Sequence, residues 1–409
     1  MNTLPIITAD QRLAETRGIK GCIFGRSGIG KTSLLWSLDP ASTLFFDLEA
    51  DFLSEIKKNG TRSISYPQAL HEISKDKYTI AVAGTHGKTT TTAMIAKVLM
   101  DAGLEPTVIV GSLLVDEKSN FIAGKGKYFV VEACEYKRSF LQLEPSIGII
   151  LNIDDDHLDY YHDMAGVQKG FSEFVAGIKK DGILITDPND KNIMPVIASA
   201  PKVLDYMSHF HKDLKLSFPG EHVRKDASVA LTVAQVLGID GVRAAKSLAE
   251  FRGTWRRFEF KGKMENGALH YDDYGHHPTE IAATIAGARE MFPDKEITIV
   301  FQPHLFSRTK EHLKEFGEVL AKADYVILHD IYPAREPFDA SISSADIVAE
   351  IQKKNKNVLY LKTFKEIAEE LNTGTSDKDV IITMGAGDIY KVGDMLLDLR
   401  FDRDIFEDH

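Results

Sequence analysis

Cysteine is nearly absent: the 409 residues include two, Cys22 and Cys134. They lie far apart without metal-ligand spacing, which excludes a disulfide framework and a cysteine zinc site. Both read as reduced thiols packed near strands, as expected in the cytosol. Long apolar runs are missing too, none reaching the about 20 residues of a membrane-crossing helix. The N-terminus has no basic segment followed by an apolar stretch, so a soluble, cytoplasmic protein is expected. Nor is there an excess of positive charge. Lys and Arg total 49 against 60 Asp and Glu, a formal net charge of −11. That balance argues against a nucleic-acid or anionic-membrane surface, while leaving room for small anionic substrates. No internal repeat or low-complexity tract occurs. The length exceeds what one compact core holds, so two or three domains are expected.

Strand and helix patterns alternate nearly throughout, which favours α/β domains with largely parallel sheets. Three regions separate, at 1–76, 77–253 and 254–409. The first carries a strand at 19–24, a Gly-rich loop, a helix and a strand at 43–46. The second has strand patterns at 78–83, 128–131, 147–151 and 183–186. Residues 251–258, with one glycine and three arginines, read as a linker. In the third, strands at 297–301, 325–328, 358–361 and 380–383 alternate with helices, as in a small doubly wound sheet. One of those helices opens with a capping box, Thr363 to Glu366.

The most informative segment is Gly84-Thr85-His86-Gly87-Lys88-Thr89-Thr90, between the strand at 78–83 and a helical pattern over 88–102. A glycine loop joining strand to helix directs backbone N–H groups and the positive end of the helix dipole at one point. Lys88 adds a mobile positive charge, and the hydroxyl of Thr89 can reach a magnesium ion. The pattern specifies a nucleotide phosphate site.

Four further segments place polar groups at strand ends, where ligands bind in parallel sheets. Glu132 ends the run Tyr128-Phe129-Val130-Val131. Asn152-Ile153-Asp154-Asp155-Asp156-His157 follows the strand at 147–151. Its aspartates read as a solvated acidic turn, whereas Glu132 and His157 read as metal ligands beside the phosphate loop. Asp272-Asp273-Tyr274-Gly275-His276-His277-Pro278-Thr279 crowds two acids and two imidazoles at another strand end. Capping of the following helix by Thr279, with surface histidines, explains only part of it. Last, the segment after the strand at 297–301 offers His304 and Arg308, suited to a carboxylate.

Together these segments resemble the Mur ligases, ATP-dependent amide-forming enzymes of peptidoglycan assembly. The matching stretches run in order over about residues 55–395 and include Gly385-Ala386-Gly387-Asp388-Ile389-Tyr390. The resemblance implies three α/β domains: an N-terminal lobe, a central P-loop ATPase-type domain and a C-terminal Rossmann-like doubly wound domain. Asp272-Asp273-Tyr274-Gly275-His276-His277-Pro278 is most similar to the member that adds L-alanine to UDP-N-acetylmuramate. The tripeptide-recycling member is the nearest alternative. The implied chemistry is phosphorylation of the sugar's lactyl carboxylate by ATP, then attack of the alanine amine on the acyl phosphate.

The same resemblance implies the roles of individual residues. Gly84, Thr85, His86, Gly87, Lys88, Thr89 and Thr90 would hold ATP, with Lys88 neutralising the transferred phosphoryl group and Tyr274 near the nucleotide. Thr89, Glu132 and His157 would bind Mg2+. Arg257 and Asp273 match positions that draw the third domain over the nucleotide. His276, Arg308 and His304 would hold the incoming amino acid. The chain departs from the family at Val223 and Asp226, where asparagines are usual, at residues 133–138 and at Leu305.

Residues 1–53 are the largest departure. Gly25, Gly28, Gly30, Lys31 and Thr32 complete a second phosphate-loop pattern after a strand, followed by Asp47 and Glu49. This opening resembles RecA-like ATP-binding proteins of phages. One reading lets these glycines replace the UDP-binding turn of the Mur N-terminal domain. The preferred one is a truncated or chimeric lobe, in which case ATP binds but the sugar nucleotide does not and the chain is a nonproductive nucleotide-binding protein.

Overall fold

The computed structural model describes residues 23–24, 64–334 and 336–397. The loop at 25–32, with Gly25, Gly28, Gly30, Lys31 and Thr32, lies outside the described residues, as does nearly all of the segment expected to be RecA-like. Two compact units divide the rest, one holding residues up to 209 with 228–248, the other 210–227 with residues from 249 onward.

In the first unit a short parallel pair, β1 (Ile23–Phe24) and β2 (Ile64–Ser65), precedes α1 (Tyr66–Ser74). There follow β3 (Tyr78–Ala83), α2 (Lys88–Asp101), β4 (Thr107–Leu114), β5 (Ser119–Ile122), β6 (Tyr128–Glu132) and β7 (Ile147–Ile150). After α3 (Leu158–Tyr161) and α4 (Met164–Ala176) come β8 (Ile183–Thr186) and β9 (Val203–Asp205). The sheet order is β5-β4-β6-β3-β7-β8-β9, parallel except for β5 against β4. The middle strands are continuous apolar runs because both faces are covered. On one face Ala81, Val131 and Ile150 pack with Phe140, Phe171 and Phe174. Each fully buried ring contributes about 2–3 kcal/mol.

Next in sequence are α5 (Glu221–Val236) and α6 (Gly241–Ala249). The second unit then builds β10 (Glu259–Lys263), β11 (Leu269–Asp273), α7 (Pro278–Met291), β12 (Glu296–Phe301), α8 (Phe306–Glu311) and β13 (Tyr325–Leu328). β14 (Val358–Tyr360), β15 (Asp379–Met384) and α9 (Tyr390–Leu396) follow, with further helices over Leu313–Leu320, Ser344–Ile351 and Phe364–Gly374. Its order is β10-β11-β15-β12-β13-β14, with only β10 antiparallel to its neighbour. In both sheets the parallel strands bring their carboxyl ends to one edge, and the described candidate residues lie at or beyond such an end, except Arg257, which leads into the antiparallel β10 at that edge.

Residues 251–258 connect α6 to β10, and Phe251, Thr254 and Arg256 in this connection are buried, the arginine in a polar slot lined by strand-end oxygens. Two expectations need correction. Cys134, just past β6, is exposed rather than packed. The helix after β11 is capped by His277, not Thr279, and His277 is buried.

Candidate active site

β3 ends at Ala83, and the chain turns through Gly84 at φ +138°, where an added Cβ would lie 3.0 Å from that of Leu151. Only glycine suits that backbone and that clearance. Gly87, also left-handed, launches α2 at Lys88, with Thr90 half-buried in its first turn. The loop is tied to the chain leaving the adjacent strand β7. The Thr85 amide donates to the Asn152 carbonyl (3.1 Å), and the His86 amide donates to Asn152 Oδ1 (2.8 Å). Asn152 Nδ2 returns a bond to the His86 carbonyl, and the Asp154 amide donates to Thr85 Oγ1. Asp154 Oδ2 lies 3.2 Å from His86 Nε2. That bond, against burial, holds the Asp154 carboxyl well below the usual carboxylate range. The first of the three aspartates therefore braces the loop instead of belonging to a solvated turn.

Two carboxylates enter from the end of β6 and the turn just beyond it. Glu132 Oε2 accepts from Thr89 Oγ1 (2.9 Å) and from the Gly111 amide (2.8 Å). A Cβ on Gly111 would come 2.7 Å from this carboxylate, so glycine in β4 is what admits it. Glu135 Oε1 accepts from Lys88 Nζ (3.0 Å), which also donates to the carbonyls of Gly84 (2.6 Å) and Thr85 (2.9 Å). His157 stands in the left-handed region at φ 57°, its Nε2 3.7 Å from Glu135 Oε1 and 3.8 Å from Asp156 Oδ2. Of the expected metal ligands, Thr89 and Glu132 meet directly, whereas His157 approaches Glu135.

In the second unit Asp273, at the end of β11, accepts from the Phe258 amide (2.8 Å) and the Gly275 amide (2.7 Å). Burial, opposed by Arg257, pushes its pKa up to about 6. Arg257 lies over the Tyr274 ring, 5.2 Å from its centroid, and 3.8 Å from Glu280. Its neighbour Arg256 is buried. Nε donates to Asp272 Oδ2 (2.6 Å), and the two terminal nitrogens donate to the carbonyls of Gly387 (3.0 Å) and Gly385 (2.7 Å). The Tyr274 amide donates to the Arg256 carbonyl (2.6 Å).

The three residues expected to hold the amino acid do come together. The rings of His276 and His304 are 5.7 Å apart, and Arg308 reaches His304 Nδ1 at 3.2 Å. His304 is bridged to Tyr332 and stacked on it. Sequence reading misses Glu135, Asn152 and Arg256. An acid three residues after a strand-end glutamate was a usable signal for the first, but for Arg256 nothing separates it from Arg257 in sequence.

Residues 82–218 match the family model of the Mur ligase middle domain, and residues 256–387 match that of the Mur ligase glutamate ligase domain. The chain is 41% identical over 352 residues to the UDP-N-acetylmuramate–L-alanine ligase of Caldanaerobacter subterraneus, covering 79% of this chain and 76% of the relative. The chain belongs to the Mur ligase family. The corresponding ligase of Clostridium tetani is likewise 41% identical, over 349 residues, 78% of this chain and 76% of the relative. Among solved structures, the UDP-N-acetylmuramate–alanine ligase of Thermotoga maritima shares the Mur ligase fold with a TM-score of 0.75 at 22% identity. That match covers 93% of this chain and 98% of the other. The phosphate loop after β3, Glu132 at the end of β6 and Asn152 after β7 share the carboxyl edge of the first sheet, while Asp273 ends β11, Gly385 follows β15 and Arg308 lies in the helix after β12, in the second sheet.

Proposed function

We propose that this Mur ligase is a cytoplasmic enzyme that joins L-alanine to UDP-N-acetylmuramate, with ATP as the energy source, in peptidoglycan precursor synthesis. The observation that carries the reading is the 41% identity, over most of the chain, to ligases of that name. The division into regions 1–76, 77–253 and 254–409 is part of the proposal, as are the roles that follow.

The loop residues suit a nucleotide triphosphate. Backbone amides at the start of the 14-residue α2 favour an anion, and Lys88 brings a cation to the same place. Thr89 and Glu132 fit Mg2+, since a hydroxyl and a carboxylate sharing one hydrogen bond are hard oxygen donors. When bound, the ion neutralises phosphate charge. His157 is the nitrogen donor assigned to the same role.

The chain's own residues supply positioning and charge. Lys88 exchanges a carbonyl contact for a phosphate oxygen and balances its charge as the phosphoryl group moves to the lactyl carboxylate. His276, His304 and Arg308 bind the carboxylate of L-alanine, leaving its amine to attack the activated carbonyl carbon as phosphate departs. Tyr274, with Arg256 and Arg257 each 5.2 Å from its ring centroid, is the aromatic assigned to the nucleotide. Asp273 fixes the turn that carries Tyr274 through the Gly275 amide.

The test is phosphate release with ATP, Mg2+, UDP-N-acetylmuramate and L-alanine, each omitted in turn, with Lys88→Met and Lys31→Met in parallel. Release that needs both substrates and is lost in Lys88→Met is expected. Release indifferent to the sugar nucleotide, or lost only in Lys31→Met, would overturn the reading.

A further inference from the structure

The ammonium of Lys88 has three N–H donors, and three acceptors take them: the Gly84 and Thr85 carbonyls and Glu135 Oε1. Two of these acceptors belong to the lysine's own loop and move with it. Glu135 comes from the far side, beyond β6, and is 3% exposed. Its other oxygen, Oε2, is buried with no hydrogen-bond partner among the described residues. A buried carboxylate with half its acceptors unused is costly to keep unless its charge serves a partner. The Glu135 backbone is itself pinned, its carbonyl accepting from the Tyr161 hydroxyl (2.5 Å) and the Arg138 amide (2.8 Å). Tyr161, at the end of α3, is buried.

We propose that Glu135 is a positioning residue for Lys88, fixing the direction in which the ammonium meets a nucleotide phosphate, with Tyr161 holding Glu135 in turn. This rests on the reading of residues 84–90 as the ATP loop. Without Glu135 the lysine keeps only acceptors within its own turn, and its head is no longer anchored from across the site.

The experiment uses the full chain with Glu135→Gln, Glu135→Asp and Tyr161→Phe. Two quantities are measured: kcat and KM for ATP, and the rate at which acetic anhydride modifies Lys88 without substrates, read by peptide mass spectrometry. Glu135→Gln should lower kcat by about ten- to hundredfold, the value of a charge-assisted hydrogen bond, with a smaller effect on KM. Lys88 should be acetylated about fivefold faster or more once its carboxylate partner is gone. Glu135→Asp should partly reverse both the fall in kcat and the rise in labelling, and Tyr161→Phe should move each quantity in the same direction as Glu135→Gln. If Glu135→Gln does not fold, as judged by its melting curve, the other two variants decide. Unchanged Lys88 labelling together with unchanged kcat in folded variants overturns the proposal. If the parent protein shows no substrate-dependent phosphate release, the ligase reading fails, and the labelling alone then decides the role of Glu135.

Discussion

Arg256 and Arg257 are adjacent in sequence, and their replacement should have opposite consequences. The Arg256 side chain is 3% exposed, ion-paired with an equally buried Asp272, and donates to two loop carbonyls after β15. Arg256→Ala removes those three bonds. It leaves Asp272 buried, with the Thr383 hydroxyl (2.7 Å) as its remaining side-chain donor. Breaking such a pair from one side costs about 3–5 kcal/mol. For a unit of this size that lowers the melting point by roughly 6–20 °C. The Arg257 side chain is 30% exposed, with one ion pair at 3.8 Å and one ring contact. Its loss should cost at most about 1 kcal/mol of stability. Arg257→Ala should therefore melt within about 4 °C of the parent while losing most of its turnover. Differential scanning calorimetry on both variants, with phosphate release measured alongside, checks the contrast. Equal melting points, or an Arg256→Ala protein as stable as the parent, would refute the assignment of Arg256 as the internal brace.

Two buried groups in the second unit should give opposite pH slopes. His270 is fully buried and burial pulls its pKa down to about 4, so its contribution is present above about pH 6.5 and is lost as the pH falls toward 4. Asp273, raised to about 6, contributes stability below about pH 4 that is lost as the pH rises through 6. Each effect amounts to about 3 kcal/mol, so urea unfolding should gain a steeper rise from pH 4.5 to 7 in Asp273→Asn and a shallower one in His270→Gln. Arg308→Lys, which replaces a planar fork by a point charge, should raise KM for L-alanine about tenfold or more and leave KM for ATP nearly unchanged in steady-state assays.

Much of this was legible in the sequence because strong local signals coincide with strand ends. The phosphate loop and Glu132 stand at the ends of apolar runs whose boundaries the structure reproduces within about one residue, and the segment from Asp272 was legible from its density of acids and imidazoles. β5, β9 and β10 are not legible for a physical reason: they lie at sheet edges, where one-sided burial leaves no continuous apolar run, whereas β4 is buried over its first four residues and its run Val108-Ile109-Val110 is a signal present in the sequence. β10, Glu-Phe-Lys-Gly-Lys, is nearly all polar and bulged, and reads as loop. The buried polar contacts escaped for another reason. Whether Glu135 meets Lys88, or Arg256 rather than Arg257 turns inward, depends on pairing between strands distant in sequence and on a left-handed backbone at Arg256, φ 59°. Asp154 was misjudged because a run of three acids looks solvated, yet its first member faces His86 across the sheet edge.

The central claim is that ATP activates a carboxylate for amide formation, and isotope transfer tests it most directly. UDP-N-acetylmuramate carrying heavy oxygen in its lactyl carboxylate is incubated with the protein, ATP, Mg2+ and L-alanine, and the released phosphate is analysed by mass spectrometry. The account predicts one heavy oxygen in each phosphate released, matched by one amide product, with both absent in Lys88→Met. Phosphate released without the label would mean that ATP is hydrolysed by water, and would contradict it.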